Sequence, residues 1–228
     1  MLEHNCLIDT YIKMDTFAEV FRKYYSDKVV QENERHKGHR YDITYSEILD
    51  TTRKNINTFL EIGIGLGDHY NGRVKVYENY KHGSSLMAWA EYLPNSKVYG
   101  WDVHKCNEIG NPRIKTSVLN ATDENEVDGF FKTNNIDFDL IVDDGSHYES
   151  DQVKSFMLLH SKLSENGIYI IEDILPQYIN RFKTLEAFPK VFVDDVISKQ
   201  FGVSYHDTRD IAGISNDFCV CFKKVNQE

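Results

Sequence analysis

Between residues 58 and 173, short apolar runs alternate with amphipathic stretches, and that alternation sets the fold class. The runs TFLEIG (58–63), KVYGWD (97–102), RIKTSVL (113–119), FDLIVDD (138–144) and GIYIIED (167–173) each read as a strand. Mostly apolar strands of this length suit a parallel sheet covered on both faces. Helical stretches at 84–93, 123–134 and 151–165 separate them. The last puts Val153, Phe156, Met157, His160 and Leu163 on one face, with Asn166-Gly167 expected as its C-terminal cap. Ahead of the first strand, DTFAEVFRKYY (15–25) spaces Phe17, Val20, Phe21 and Tyr24 as a helix does, and Thr16 and Glu19 stand at capping-box spacing. The polar stretch 26–42 reads as a loop, and a weaker helical pattern follows at 43–51. In the tail, VSYHDT (203–208) and DFCVCFKK (217–224) have no helix of comparable length between them and read as an antiparallel hairpin. The expected fold is α/β: a doubly wound, mostly parallel Rossmann-like sheet with a C-terminal antiparallel hairpin. Residues 1–55 would form a short helical N-terminal extension and 56–228 the main domain.

Bulk properties narrow the classes of function. At 228 residues the chain is long enough for one well-buried α/β domain. No apolar run approaches the roughly 20 residues of a membrane span, and MLEHNCLIDTYIKMD lacks the basic start and apolar core of a signal peptide. The expectation is a cytoplasmic protein without a membrane partner. A formal charge of −10 argues against nucleic acid as the main partner. Cys6, Cys106, Cys219 and Cys221 show no metal spacing, and the last two alternate with Phe218, Val220 and Phe222 as small buried hydrophobes would.

Chemistry gathers at the strand ends. FLEIGIGLG sets Glu61 before Gly63, Gly65 and Gly67, where a doubly wound sheet opens its crevice and glycines admit a nucleotide-like cofactor to the backbone. This spacing also suits an ordinary tight turn. Asp102, ending the second strand, is placed to accept ribose hydroxyls. It stands 41 positions after Glu61 where about 20 is usual, so residues 66–83 read as an inserted loop covering the site. Ser84 and Ser85 open a helix whose free N–H groups could take a carboxylate, or simply cap it. Farther on, Asp143-Asp144 and Glu172-Asp173 end two strands that would be neighbours. Such crowding of carboxylates needs protons or a cation to offset it. Oxygen donors select Mg²⁺ or another hard divalent cation, with Asp144, Glu172 and Asp173 as ligands. His147 is placed to act as general base on a substrate hydroxyl, although a lone loop histidine is more often solvated. His160 reads as core, His36, His39 and His69 as loop residues, and His104 as a minor candidate near the cofactor.

In that order, FLEIGIGLG, GSSLMAW, VYGWDV, DLIVDDGSH and GIYIIEDI resemble class I S-adenosylmethionine-dependent methyltransferases, and within them the metal-dependent macrolide sugar O-methyltransferases of the mycinamicin type. The resemblance spans roughly residues 22–180, including YSDK and HRYDITYSEIL near its start, with Tyr25-Ser26 where the family commonly has Gly-Thr. It implies that Glu61, Gly63 and Asp102 bind S-adenosylmethionine, that Asp144, Glu172 and Asp173 bind Mg²⁺, and that His147 is the base. Gly65, Ser85, Asp143 and Tyr41 complete the expected cofactor set, Tyr41 reaching cofactor or substrate. The implied activity is methyl transfer to a hydroxyl of a sugar or sugar-bearing small molecule by a homo-oligomer. The resemblance does not extend to the large N-terminal domain of some relatives, and segments 66–83 or 174–200 are expected to complete the substrate pocket. A catechol or phenol acceptor, or a non-catalytic cofactor-binding protein, stays open; a nicotinamide oxidoreductase is disfavoured by the glycine spacing.

Overall fold

The computed structural model describes residues 14–31, 38–65, 83–106 and 109–225. Gly67 and most of the expected inserted loop, together with Cys6, His36 and His69, lie outside them. Seven strands form one sheet: β1 (Thr58–Ile62), β2 (Lys97–Asp102), β3 (Ile114–Val118), β4 (Phe138–Asp143), β5 (Leu163–Ile171), β6 (Phe201–Asp207) and β7 (Phe218–Lys224). Their order is β3-β2-β1-β4-β5-β7-β6. β1 to β5 run parallel, while β7 pairs antiparallel with both β5 and β6. The Rossmann-like sheet and the tail hairpin are as the periodicity predicts, with β7 inserted between β5 and the edge strand β6. Among the described residues no helix is long and apolar enough to cross a membrane.

Alternation along the strands splits the interior into two layers. One face carries Phe59, Val98, Leu140, Ile168, Ile170, Cys219 and Cys221, and is covered by α1 (Phe17–Lys23), α2 (Tyr41–Leu49) and α3 (Ser84–Tyr92). Leu60, Tyr99, Ile141, Tyr169, Ile171, Val220 and Phe222 point the other way, beneath α4 (Glu124–Thr133), α5 (Glu149–Leu159) and α6 (Ile179–Lys183). The Thr16–Glu19 capping box forms as read, and Phe17, Val20 and Phe21 of α1 are buried. Phe17, Phe21, Tyr45 and Leu49 thus belong to the same core layer as the first strand's Phe59, so the helices ahead of β1 pack into the sheet's own core.

One expected boundary moves. α5 ends at Leu159, a 3₁₀ turn spans His160–Lys162, and Leu163 already pairs with Phe138 as strand. Asn166 does adopt a left-handed conformation (φ 62°), but inside a bulge of β5 rather than as a helix cap. The left-handed signal is the same in both settings. What ends the helix earlier is burial, since Leu163 fills the layer beneath α5.

Candidate active site

Parallel strands deliver their C-terminal ends to one edge, and period-two alternation decides which side of the sheet each acid faces. Glu61, one residue before the end of β1, lies on the α1–α3 face, where its carboxylate accepts from Ser85 Oγ (2.6 Å) and Trp89 Nε1 (3.1 Å). Gly63 follows with φ +79°, and a Cβ there would lie 2.0 Å from the Asp144 carbonyl, so only glycine lets the β1 and β4 loops pass. Gly65 is also left-handed. Asp102 turns its carboxylate onto backbone, accepting from Ile64 N (3.1 Å) and His104 N (2.9 Å). Ser85 therefore serves Glu61 directly, and Asp102 organises the loop after β1.

Across β4 the two adjacent acids separate. Asp143 faces α5, buried, and accepts from Ser155 Oγ, Tyr169 OH (3.0 Å) and its own loop at Gly145 N (3.2 Å). Burial pushes its carboxyl up to about 6. Asp144 instead opens toward the crevice, Oδ1 standing 3.3 Å from His147 Nε2 and Oδ2 accepting from Lys28 Nζ at 2.7 Å. Burial would raise Asp144, but Lys28 and His147 outweigh it and hold the carboxyl well below the usual range.

At the end of β5, Glu172 and Asp173 also diverge. Glu172 is fully buried, its Oε1 accepting from Tyr45 OH (2.5 Å) and its Oε2 from Lys28 Nζ. Burial and the nearby Asp144 charge push it up to about 8 despite Lys28. Asp173 is left-handed (φ 55°), as is His147 (φ 62°). Two non-glycine residues in that region within one crevice are backbone strain of the kind that collects at functional sites. Asp173 Oδ1 accepts from Tyr41 OH at 2.6 Å, and Oδ2 stands 3.5 Å from His147 Nδ1.

Asp144, His147 and Asp173 each offer one ligand atom, all within 4.8 Å of one another. The two carboxylates are donors a hard divalent cation accepts, and the imidazole beside them is a softer donor. Of the expected ligands, Asp144 and Asp173 converge in that group; the Glu172 carboxylate is directed to Lys28 and Tyr45. Tyr41, expected near the cofactor, holds Asp173. His147 retains 31% of its side-chain exposure, enough for a substrate to reach. Burial alone would lower it, but the hydrogen bond to Asp144 and the charges of Asp144 and Asp173 push it up to about 9.

Sequence reasoning missed two residues from the polar stretch. Lys28 is 2% exposed, with Nζ bonded to Asp144 and Glu172 and 3.4 Å from Glu61 Oε1. His39 stacks on Tyr41 at 4.7 Å, with Nδ1 3.5 Å from Asp173 and 3.6 Å from Asp217. The signals were Lys28 within YSDK and His39 at the head of HRYDITYSEIL, two segments that carry family resemblance but little periodicity.

Comparison with known proteins follows the same lines. No protein-family model matches the chain. It is 28% identical over 145 residues to the 8-demethyl-8-alpha-L-rhamnosyl tetracenomycin-C 2'-O-methyltransferase of Streptomyces olivaceus, covering 64% of this chain and 36% of that protein. It is 31% identical over 119 residues to the Mycinamicin VI 2''-O-methyltransferase of Micromonospora griseorubida, covering 49% and 30%. The matches thus span about a third of the length of these curated relatives. Among solved structures, the MycE methyltransferase of the mycinamycin biosynthetic pathway, in complex with Mg and SAH, superposes with a TM-score of 0.71 at 20% identity, over 94% of this chain and 56% of that one. The chain therefore has the class I methyltransferase fold and is a sequence relative of the sugar O-methyltransferases just named.

Proposed function

We propose that the chain is an S-adenosylmethionine-dependent, divalent-cation-assisted O-methyltransferase acting on a hydroxyl of a sugar or sugar-bearing small molecule. The observation that carries this reading is the convergence of Asp144, His147 and Asp173 at the ends of neighbouring strands. The cofactor crevice beside them is marked by Glu61, Gly63, Gly65, Ser85 and Asp102. The relatives above are named for O-methylation, and the MycE complex that includes mycinamycin VI holds Mg and SAH together.

In this reading Asp144 and Asp173 would hold the cation, with Glu172 behind them bound to Lys28 and Tyr45. A divalent cation there would lower the pKa of an acceptor hydroxyl and fix its oxygen in place. Lys28 and Tyr41 each occupy one oxygen of these two carboxylates and leave the other turned toward His147. His147 is the half-buried imidazole of the group and, in its neutral form, takes the acceptor's proton. With the cation absent, Asp144 and Asp173 keep that imidazole protonated at neutral pH. Glu61, held by Ser85 and Trp89, orients the cofactor for the transfer.

The test is methyl transfer from radiolabelled S-adenosylmethionine to a panel of glycosides and catechols, with Mg²⁺ and after EDTA. Label is expected on glycosides, lost with EDTA and restored by Mg²⁺. Label on catechols alone, or turnover indifferent to EDTA, overturns the reading.

A further inference from the structure

Lys28 is a buried cation that neither methyl transfer nor metal binding requires by itself, and it touches both halves of the site. Its ammonium has three hydrogens to give. It donates to Asp144 and Glu172 on the cation side, and its third neighbour is Glu61 Oε1 at 3.4 Å on the cofactor side. The carboxylates it joins come from the ends of three adjacent strands, β1, β4 and β5.

Resting on the function proposed above, we propose that Lys28 is a positioning residue that couples the two sites, so that filling the cation site tightens binding in the cofactor site. The two oxygens of Asp144 are divided between partners: Oδ2 belongs to Lys28, and Oδ1 faces His147 and the Asp173 side. A divalent cation can therefore be held through Oδ1 without evicting the ammonium, which at 2% exposure has no water to retreat into. A cation on Asp144 withdraws part of the charge that holds Lys28 there. The ammonium then leans toward Glu61, its longest contact. Glu61, already held through Oε2 by Ser85 and through Oε1 by Trp89, gains a charged partner on Oε1 and meets the cofactor in one orientation. Cofactor binding in turn immobilises Glu61 and Lys28 and so presents Asp144 to the cation, because coupling between two binding sites is reciprocal.

The measurement is calorimetric titration of the whole chain with S-adenosylhomocysteine, without and with saturating Mg²⁺, and of Mg²⁺ without and with S-adenosylhomocysteine. Each ligand is expected to tighten the other by at least about fivefold, the lower end of ordinary allosteric coupling. In Lys28→Met, each ligand still binds and the mutual effect falls below about twofold. Should Lys28→Met fail to fold, Lys28→Gln keeps a neutral hydrogen-bond donor in the same place, and the mutual effect must fall below about twofold there. Undiminished coupling in either variant, or a wild type that binds both ligands independently, overturns the proposal while leaving the methyltransferase reading intact. A wild type that binds neither ligand overturns that reading itself.

Discussion

The two faces of the sheet are both rich in aromatic rings, yet they are built for different purposes. Beneath α5, Phe156 packs on Phe222 at 4.2 Å between centroids and meets Tyr169, Phe188 and Phe201 edge-on. That layer is mostly hydrocarbon, and its one acid at the strand ends, Asp143, is closed off by Ser155 and Tyr169. Beneath α1–α3, Phe17, Tyr45 and Trp89 form a comparable cluster with centroids about 5 Å apart. Here the polar tips point out of the cluster: Tyr45 OH to Glu172 and Trp89 Nε1 to Glu61, with Tyr41 OH reaching Asp173 beside them. One face holds the strands in place. The other also aims the charged groups, and much of it is supplied by residues 17–49 ahead of the first strand.

The largest effect expected from this division belongs to Asp144, the acid that touches both His147 and Lys28. Asp144→Ala removes a proposed cation ligand, and metal assistance is worth several kcal/mol of transition-state stabilisation. Turnover should fall by at least about a thousandfold, with the circular dichroism spectrum unchanged. Activity within about tenfold of wild type would place the chemistry elsewhere.

Phe156→Ala strikes the opposite face. Emptying a fully buried phenylalanine site costs about 3–5 kcal/mol, and Phe156 is 0% exposed. Urea melts should show that loss, while the affinity for Mg²⁺ at low temperature, where the variant is still folded, stays within about twofold. A large change in that affinity would mean the faces are not separate in function.

A matched pair of hydroxyl deletions sharpens the contrast. Tyr45→Phe and Tyr169→Phe each take one donor from a buried carboxylate, Glu172 or Asp143. Each should cost about 1–3 kcal/mol of stability, the usual price of leaving such a group short of a partner. Only Tyr45→Phe should also weaken Mg²⁺ binding, by several-fold, as measured by calorimetry. Equal effects of the two on Mg²⁺ would erase the distinction.

What the sequence made legible follows the same line. The strands and their acidic ends were readable because period-two burial leaves its mark on every residue, and Asp144, His147 and Asp173 lie within four positions of those ends. Lys28 was not readable. It sits in an aperiodic polar stretch, and its partners Asp144 and Glu172 are 116 and 144 positions away. Glu172 and Asp173 looked equivalent as neighbours, but alternation places Glu172 on the side of Ile168 and Ile170, facing α1–α3, while the left-handed Asp173 swings into the crevice. Asn166-Gly167 carried a true conformational signal whose setting, strand bulge instead of helix end, depended on packing around Leu163.

The smallest effect tests how dry the α5 face is. His160 lies at the end of α5 against Phe156 and Phe192, its Nδ1 2.9 Å from the Met157 carbonyl oxygen. Burial lowers its pKa below the ordinary 6.5, outweighing that backbone bond. In the unfolded chain the imidazole takes up a proton near 6.5, while the folded protein resists it to lower pH. Between those values the unfolded state binds more protons, so stability rises with pH there and is lost as pH falls from about 6.5 toward the folded value. Carboxylates at the crevice titrate as well, which is why the informative quantity is a difference. Urea melts of wild type and His160→Gln from pH 7.5 down to pH 5 should diverge in slope, the wild type losing stability more steeply below 6.5. Parallel curves would mean the imidazole is as well solvated in the folded protein as in the unfolded chain, and that water reaches a face which the aromatic packing otherwise closes.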